Sequence, residues 1–208
     1  MQKKGLVPAT VVLCLVLSLA ALAAENKQTY VVDPVHSSVT FTIRHLVSHV
    51  QGRFDDFRGT IRFDPGHETD SSVEFVIKAS SIDTRNPRRD EDLRSSNFFG
   101  VKTHPDITFK STRMVKVSKD KFEVHGTLAM HGVTRSIMVP VTMNGRIKDP
   151  WGHERAGFSI AMTLDRKKWG ISWNKLLDSG GMLLGDDVQI NIQIEAVKKA
   201  AAPKKRAA

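Results

Sequence analysis

Apolar and polar residues alternate with a period of two along most of the chain. From Ser37 to Arg44, Val39, Phe41 and Ile43 fall on one face, and Ser38, Thr40, Thr42 and Arg44 on the other. Such alternation marks a strand buried on one side only. It returns loosely in Phe57–Phe63, with Gly52 and Gly59 expected at bends or bulges, and in the row Val73, Phe75, Ile77, Ala79. Ile107 and Phe109 begin another strand. Phe122, Val124, Leu128 and Met130 then share a face, as do Ile137, Val139, Val141 and Met143. Phe158, Ile160, Met162 and Leu164 follow. The row Val188, Ile190, Ile192, Ile194 closes the series with the cleanest period. Asn144-Gly145 resembles a hairpin turn, but the alternation runs past it. Asp149-Pro150-Trp151-Gly152 is the stronger break.

One stretch, residues 80–111, interrupts the strands with a helix signal. Asn86 suits an N-cap, Pro87 the first helical position, and Asp90, Glu91 and Asp92 the early turns. Asn97-Phe98-Phe99-Gly100 ends it. The expected fold is therefore all-β: a single eight-stranded antiparallel barrel with a short helical insertion around residues 86–97. An insertion of this kind covers or lines something. Strands of ten to fifteen residues at about 3.3 Å each enclose a deep interior. An outer-membrane barrel would need an apolar outer face and aromatic girdles. Here the second face carries Glu, Lys, Gln, Asn and Thr, and 14 aromatics serve the whole chain.

The first residues lie outside this pattern. Lys3 and Lys4 precede an apolar run from Leu6 to Leu22, and Ala21-Leu22-Ala23 makes an A-x-A cleavage site. Residues 1–23 are expected to be a cleaved signal peptide, 24–197 the barrel, and 198–208 a disordered basic tail. The expected location is the periplasm. Cys14 lies within the leader and lacks a lipobox, so the mature chain has no cysteine, no disulfide and no thiolate site. The formal charge of +9 comes mostly from the leader and the tail; the folded part carries 24 basic against 22 acidic residues. A nucleic-acid binder would carry its basic excess on the domain. The tail lysines suit at most a weak contact with anionic lipid headgroups.

Motifs for chemistry are sparse. No nucleophile elbow, phosphate loop or dinucleotide fingerprint occurs. His45 and His49 have the spacing of a helical metal pair, but Glu is absent at position 46, and both read as loop or surface residues. His36 reads as a turn-stabilising hydrogen bonder. Asp186 and Asp187 read as turn residues. No catalytic or metal-ligating set is expected, and no cofactor. The inward rows offer more. Phe41, Phe75, Phe109 and Phe158, with Met130, Met143 and Met162, would line an apolar interior, and Met adapts to a featureless chain. Arg89 and His45 lie where a ligand head group could be met.

Several segments together resemble one family. They are Asp33-Pro34-Val35-His36-Ser37 with Arg44-His45-Leu46, Gly52-Arg53-Phe54 through Phe57-Arg58-Gly59, and Ser81-Ile82-Asp83-Thr84 with Arg89-Asp90, Leu93-Arg94-Ser95 and Phe98-Phe99. Pro105–Ser111, Leu128–Thr134, Trp169-Gly170 and Gly181–Val188 continue the series. In this order they resemble the YceI-like, polyisoprenoid-binding family over nearly the whole mature chain. The resemblance implies a secreted lipocalin-like barrel with an elongated cavity for a polyisoprenoid or similar long-chain amphiphile. Where family members often show a histidine, this chain has Asp92. A head-group role for that histidine does not carry over, and an acid there disfavours a nearby phosphate.

The expected function is non-catalytic binding or carriage of a polyisoprenoid, an isoprenoid quinone or a fatty-acyl lipid. A homodimer is left open. Two other readings stand beside it: an enzyme using His45, Asp83 and Arg89 at the barrel mouth, and a stress-related interaction protein whose barrel core is filled by side chains.

Overall fold

The computed structural model describes residues 27–178 and 180–200. The proposed leader and most of the basic tail lie outside them. Eleven strand segments form one antiparallel sheet closed on itself: β1 (Gln28–Val32), β2 (Ser38–His45), β3 (Ser48–Phe54), β4 (Phe57–Phe63), β5 (Ser72–Lys78), β6 (Ile82–Asp83), β7 (Asp106–Lys116), β8 (Lys121–Met130), β9 (Val133–Lys148), β10 (Glu154–Asp165) and β11 (Leu184–Lys198). One helix, α1, spans Pro87–Arg94.

Eleven segments reduce to eight strand positions. β1 and β2 both pair with β11, at Tyr30–Val32 and Ser38–His45 respectively, so they are one strand broken at residues 33–37. β4 pairs with β1 and β3 with β2, which makes β3 and β4 a second broken strand. β5 and β6 continue the pattern as the third. The breaks lie side by side and form a corner. Asp33 accepts from the Val35 amide (3.0 Å) and pairs with His36 Nδ1 (2.9 Å), as expected for a turn-stabilising histidine. The remaining five positions are the unbroken β7 to β11. β9 runs through Asn144-Gly145 to Lys148, and the turn falls at Asp149–Gly152.

Gly52 and Gly59 were expected at bends or bulges. Instead, the β2–β3 and β4–β5 registers run through both without a shift. Each glycine makes room for an aromatic ring: a Cβ at 52 would overlap Phe41, and one at 59 would overlap Phe75. Gly126 seats Phe109 in the same way, a Cβ there falling 2.7 Å from its Cζ. Three of the expected inward phenylalanines thus lie against bare backbone, so the interior keeps free volume. The bulges fall elsewhere, at Ser111/Arg113, Gly157/Phe158 and Leu184/Val188.

The last strand extends into the expected tail. Lys198 pairs with Tyr30, its ammonium sits 2.9 Å from Glu154, and the Lys199 amide donates to Thr29 O at 2.7 Å. Lys198 and Lys199 therefore take part in the pairing of the barrel and do not belong to the expected tail. Alternation could not show this, because a terminal lysine on a polar face looks the same paired or free.

Candidate functional site

The barrel encloses a cavity of about 430 Å³. On β8 its lining runs from Met130 to Phe122, and on β10 from Arg166, just past the strand, to Phe158. Eight residues of strand reach about 26 Å. The walls are Val, Ile, Leu, Phe and Met. Most polar liners gather at one end: His45, Thr84, Arg89, Asp92 and Arg166.

Exposure locates the opening. At the far end the liners Val32, Phe63, Ser71, Phe122 and Ile194 are all buried. At the polar end two liners, Asp92 of α1 and Trp173 of the loop before β11, reach solvent. This end is the mouth.

Eight of the nine expected ligand-contacting residues line the cavity: Phe41, His45, Phe75 and Arg89, then Phe109, Met130, Phe158 and Met162. Met143 does not. Ile137, Val139 and Val141 of β9 reach the cavity; Met143 keeps their register and pairs with the liner Phe158, but the lining on β9 stops at Val141. Periodicity places its side chain on the inward row but carries no information on where along the strand the cavity ends.

The helix forms as its sequence directs. Asn86 Oδ1 accepts from the Arg89 amide at 3.1 Å, and Pro87 opens the first turn. Three side chains of α1 then bind it to β6 and the residues on either side of it. Asp90, buried, accepts from the Thr84 amide at 2.9 Å. Arg89 Nε donates to Thr84 Oγ1 and its Nη2 to Thr84 O, both at 2.7 Å. Arg94 donates to Ser80 O and Ile82 O. The Arg89 guanidinium is thus committed to backbone and hydroxyl oxygens. It borders the mouth while clamping the helix. Phe98 and Phe99 follow α1 into the cavity wall. Phe99 stands edge-on to Phe54 (5.7 Å), and Phe98 packs on Trp173 at 5.3 Å between ring centres.

Sequence reasoning missed Arg166. It is 5% exposed, and its guanidinium donates to Gly185 O (2.9 Å), Ile171 O (2.7 Å) and Trp173 O (2.9 Å). Asp186 lies 3.5 Å away. Burial lowers the Arg166 pKa, opposed by the nearby carboxylates. The role is to tie the loop carrying Trp173 to the end of β10. Its only sequence signal is position, two residues after Leu164 on the inward row. Trp173 was missed for a different reason: it lies in a loop, where alternation carries no information.

The readings of the titratable residues can now be placed. His45 and His49 sit on facing strands of the β2–β3 hairpin, so no helical face joins them. Asp83 pairs with Arg53 at 3.0 Å and is not a cavity liner, so His45, Asp83 and Arg89 do not converge as a catalytic group. Asp33, His36 and Glu195 bring ligand atoms within 4.8 Å of one another. Arg155 pairs with both carboxylates, 3.1 Å from Asp33 and 2.6 Å from Glu195, and supplies a cation there itself.

The YceI-like domain model matches residues 30–196, the whole barrel apart from its first and last few residues. The chain belongs to the YceI-like family. A UPF0312 protein of Pectobacterium atrosepticum is 36% identical over 200 residues, covering 96% of this chain and all of that one. The YceI protein of Campylobacter jejuni, known as a crystal structure, is 30% identical with a TM-score of 0.65, covering 76% of this chain and 90% of that one. A polyisoprenoid-binding domain from Saccharophagus degradans, at 16% identity and a TM-score of 0.61, covers 82% of this chain and 98% of that one, and shares the fold. The YceI-like barrel of this chain thus carries the family's architecture with Asp92 exposed at its mouth.

Proposed function

We propose that the protein is a non-catalytic carrier or holder of one long-chain amphiphile, a polyisoprenoid first and an isoprenoid quinone or fatty-acyl lipid by the same chemistry. The observation that carries this reading is the cavity: long, apolar along its walls, closed at one end, with its polar liners mostly at the open end. A featureless chain needs little hydrogen bonding, and burying it contributes about 0.8 kcal/mol per CH₂. The polyisoprenoid-binding domain with the same fold supports the chain class. Arg89 donates to the hydroxyl and carbonyl of Thr84 and Arg166 to three backbone carbonyls, so both hold the backbone of the mouth. The export leader of residues 1–23 would place the carrier in the periplasm, between two membranes that hold such lipids.

Native mass spectrometry of protein produced with its leader tests this. An adduct that organic extraction releases, with the mass of a polyprenyl or acyl lipid, is the expected result. A homogeneous unliganded mass, together with no uptake of added polyprenol, would exclude it.

A further inference from the structure

Five large apolar side chains are exposed around the mouth. Leu46 and Val47 form the tip of the β2–β3 hairpin, and Trp173, Leu176 and Met182 lie on the loop between β10 and β11. Val47 is fully exposed and Leu176 is 66% exposed. The two loops are laced into one surface: the Leu46 amide donates to Leu183 O at 2.9 Å, the Leu183 amide to Lys175 O at 2.9 Å, and Leu176 bridges Met182. Arg44 holds both loops by donating to Leu46 O and Met182 O.

This surface is continuous with the cavity. Leu183, His45 and Trp173 line the interior, while their neighbours Met182 and Leu46 face water. The closed end differs. There Val117 and Trp151 sit on separate turns, Ile147 and Val31 lie on the outer faces of β9 and β1, and no liner near them is exposed.

We infer that the mouth docks on the surface of a lipid bilayer, with Val47, Leu176 and Met182 entering the headgroup region and Trp173 at the boundary. The inference rests on the lipid-holding reading, because a ligand that apolar has its reservoir in a bilayer and not in water. Continuity of the apolar surface is the first argument: docking would give the chain a path into the barrel that never crosses water. Residue type is the second, since Trp beside aliphatic side chains suits the membrane boundary. Charge is the third. The hairpin tip at residues 44–49 carries Arg44 with no carboxylate, and on the other loop Lys168 and Lys175 outnumber Asp178, so an anionic surface is attracted. Exposed apolar clusters of this kind mark interaction sites.

Two measurements test this on the purified protein. One is co-sedimentation with vesicles of mixed phosphatidylglycerol and phosphatidylethanolamine, some of it brominated. The other is uptake from solution of a fluorescent polyene fatty acid. The wild type is expected to sediment with vesicles and to show bromine quenching that W173F abolishes and W151F leaves in place. V47D/L176D should lower the vesicle-bound fraction at least tenfold while taking up the probe as wild type does. Vesicle binding unchanged in V47D/L176D overturns the proposal, as does a wild type that takes up the probe but ignores vesicles. A dimer broken by V47D/L176D, with no vesicle binding, overturns it in favour of a copy-to-copy interface. A wild type that takes up no probe overturns the lipid-holding reading, and docking with it.

Discussion

At the closed end, β8, β9 and β10 pair without a gap, and charged side chains satisfy one another on the outside. Arg155 joins Asp149 (2.8 Å), Asp33 and Glu195, while Lys198 joins Glu154. Inside, Phe122 and Phe63 are buried, with Lys116 and Arg146 set over their rings. At the mouth, β6 is two residues long and pairs only with β3, so the sheet is open between β6 and β7. There α1 covers the gap, Arg89 and Arg94 donate to the Thr84 hydroxyl and to backbone carbonyls, and apolar side chains face water. One end is finished by side chains pairing with side chains. The other leaves strand edges unpaired and covers them with a helix and loops, which makes it the end that can admit a ligand.

That contrast is breakable. The largest effect is expected from deleting a ring at the closed end. F122A should lower unfolding free energy by about 3–5 kcal/mol, the usual range for a buried Phe. W173A at the mouth should cost far less and should speed ligand release. Urea denaturation and a stopped-flow displacement assay read the two. Equal stability losses would mean that the ends are built alike.

Acid should separate the ends next. Burial alone would raise the Asp149 carboxyl, but hydrogen bonds from Arg155 and the His153 amide, with the His153 charge, hold it down to about 2. A carboxyl lowered in the folded state gives stability that is fully present above its unfolded pKa, near 4. That stability is lost as pH falls from about 4 through 2. The R155M variant should therefore unfold at higher pH than wild type when titrated by circular dichroism, with Asp33, also lowered, adding to the effect. An unchanged acid midpoint would show that the network is not what seals this end.

The smallest effect belongs to Asp92. It is exposed, so its repulsion of an anionic head group is screened, and D92N should tighten binding of a polyprenyl phosphate by a few-fold at most, about 0.2–1 kcal/mol. Binding of the matching polyprenol should not change. Isothermal titration of both ligands checks this, and a gain for the alcohol as well would mean that Asp92 acts on packing rather than charge.

Much of this was legible beforehand, and the reason differs by residue. The inward rows containing Phe41, Phe75, Phe109 and Phe158 follow from strand geometry, which is local: successive side chains alternate whatever their partners. The N-cap at Asn86 is equally local. Met143 keeps the inward register yet lines no cavity, because where the cavity ends along β9 depends on the side chains of other strands. Gly52 and Gly59 were misread because the ring each one seats comes from a neighbouring strand. Arg89 looked like a free cation because Thr84 meets it only when the turn before α1 folds back.

Alternation, turn residues and the helix signal together carry the approximate number of strands, the single-faced sheet and the insertion around 86–97, because each depends on neighbours within a few positions. Which end of the barrel opens, which arginines are spent, and where the apolar surface continues past the rim depend on contacts between distant segments. Leu46 and Leu183 meet across 137 positions of chain, through the amide of one and the carbonyl of the other. No periodicity within either loop could announce that contact, and the mouth is built from it.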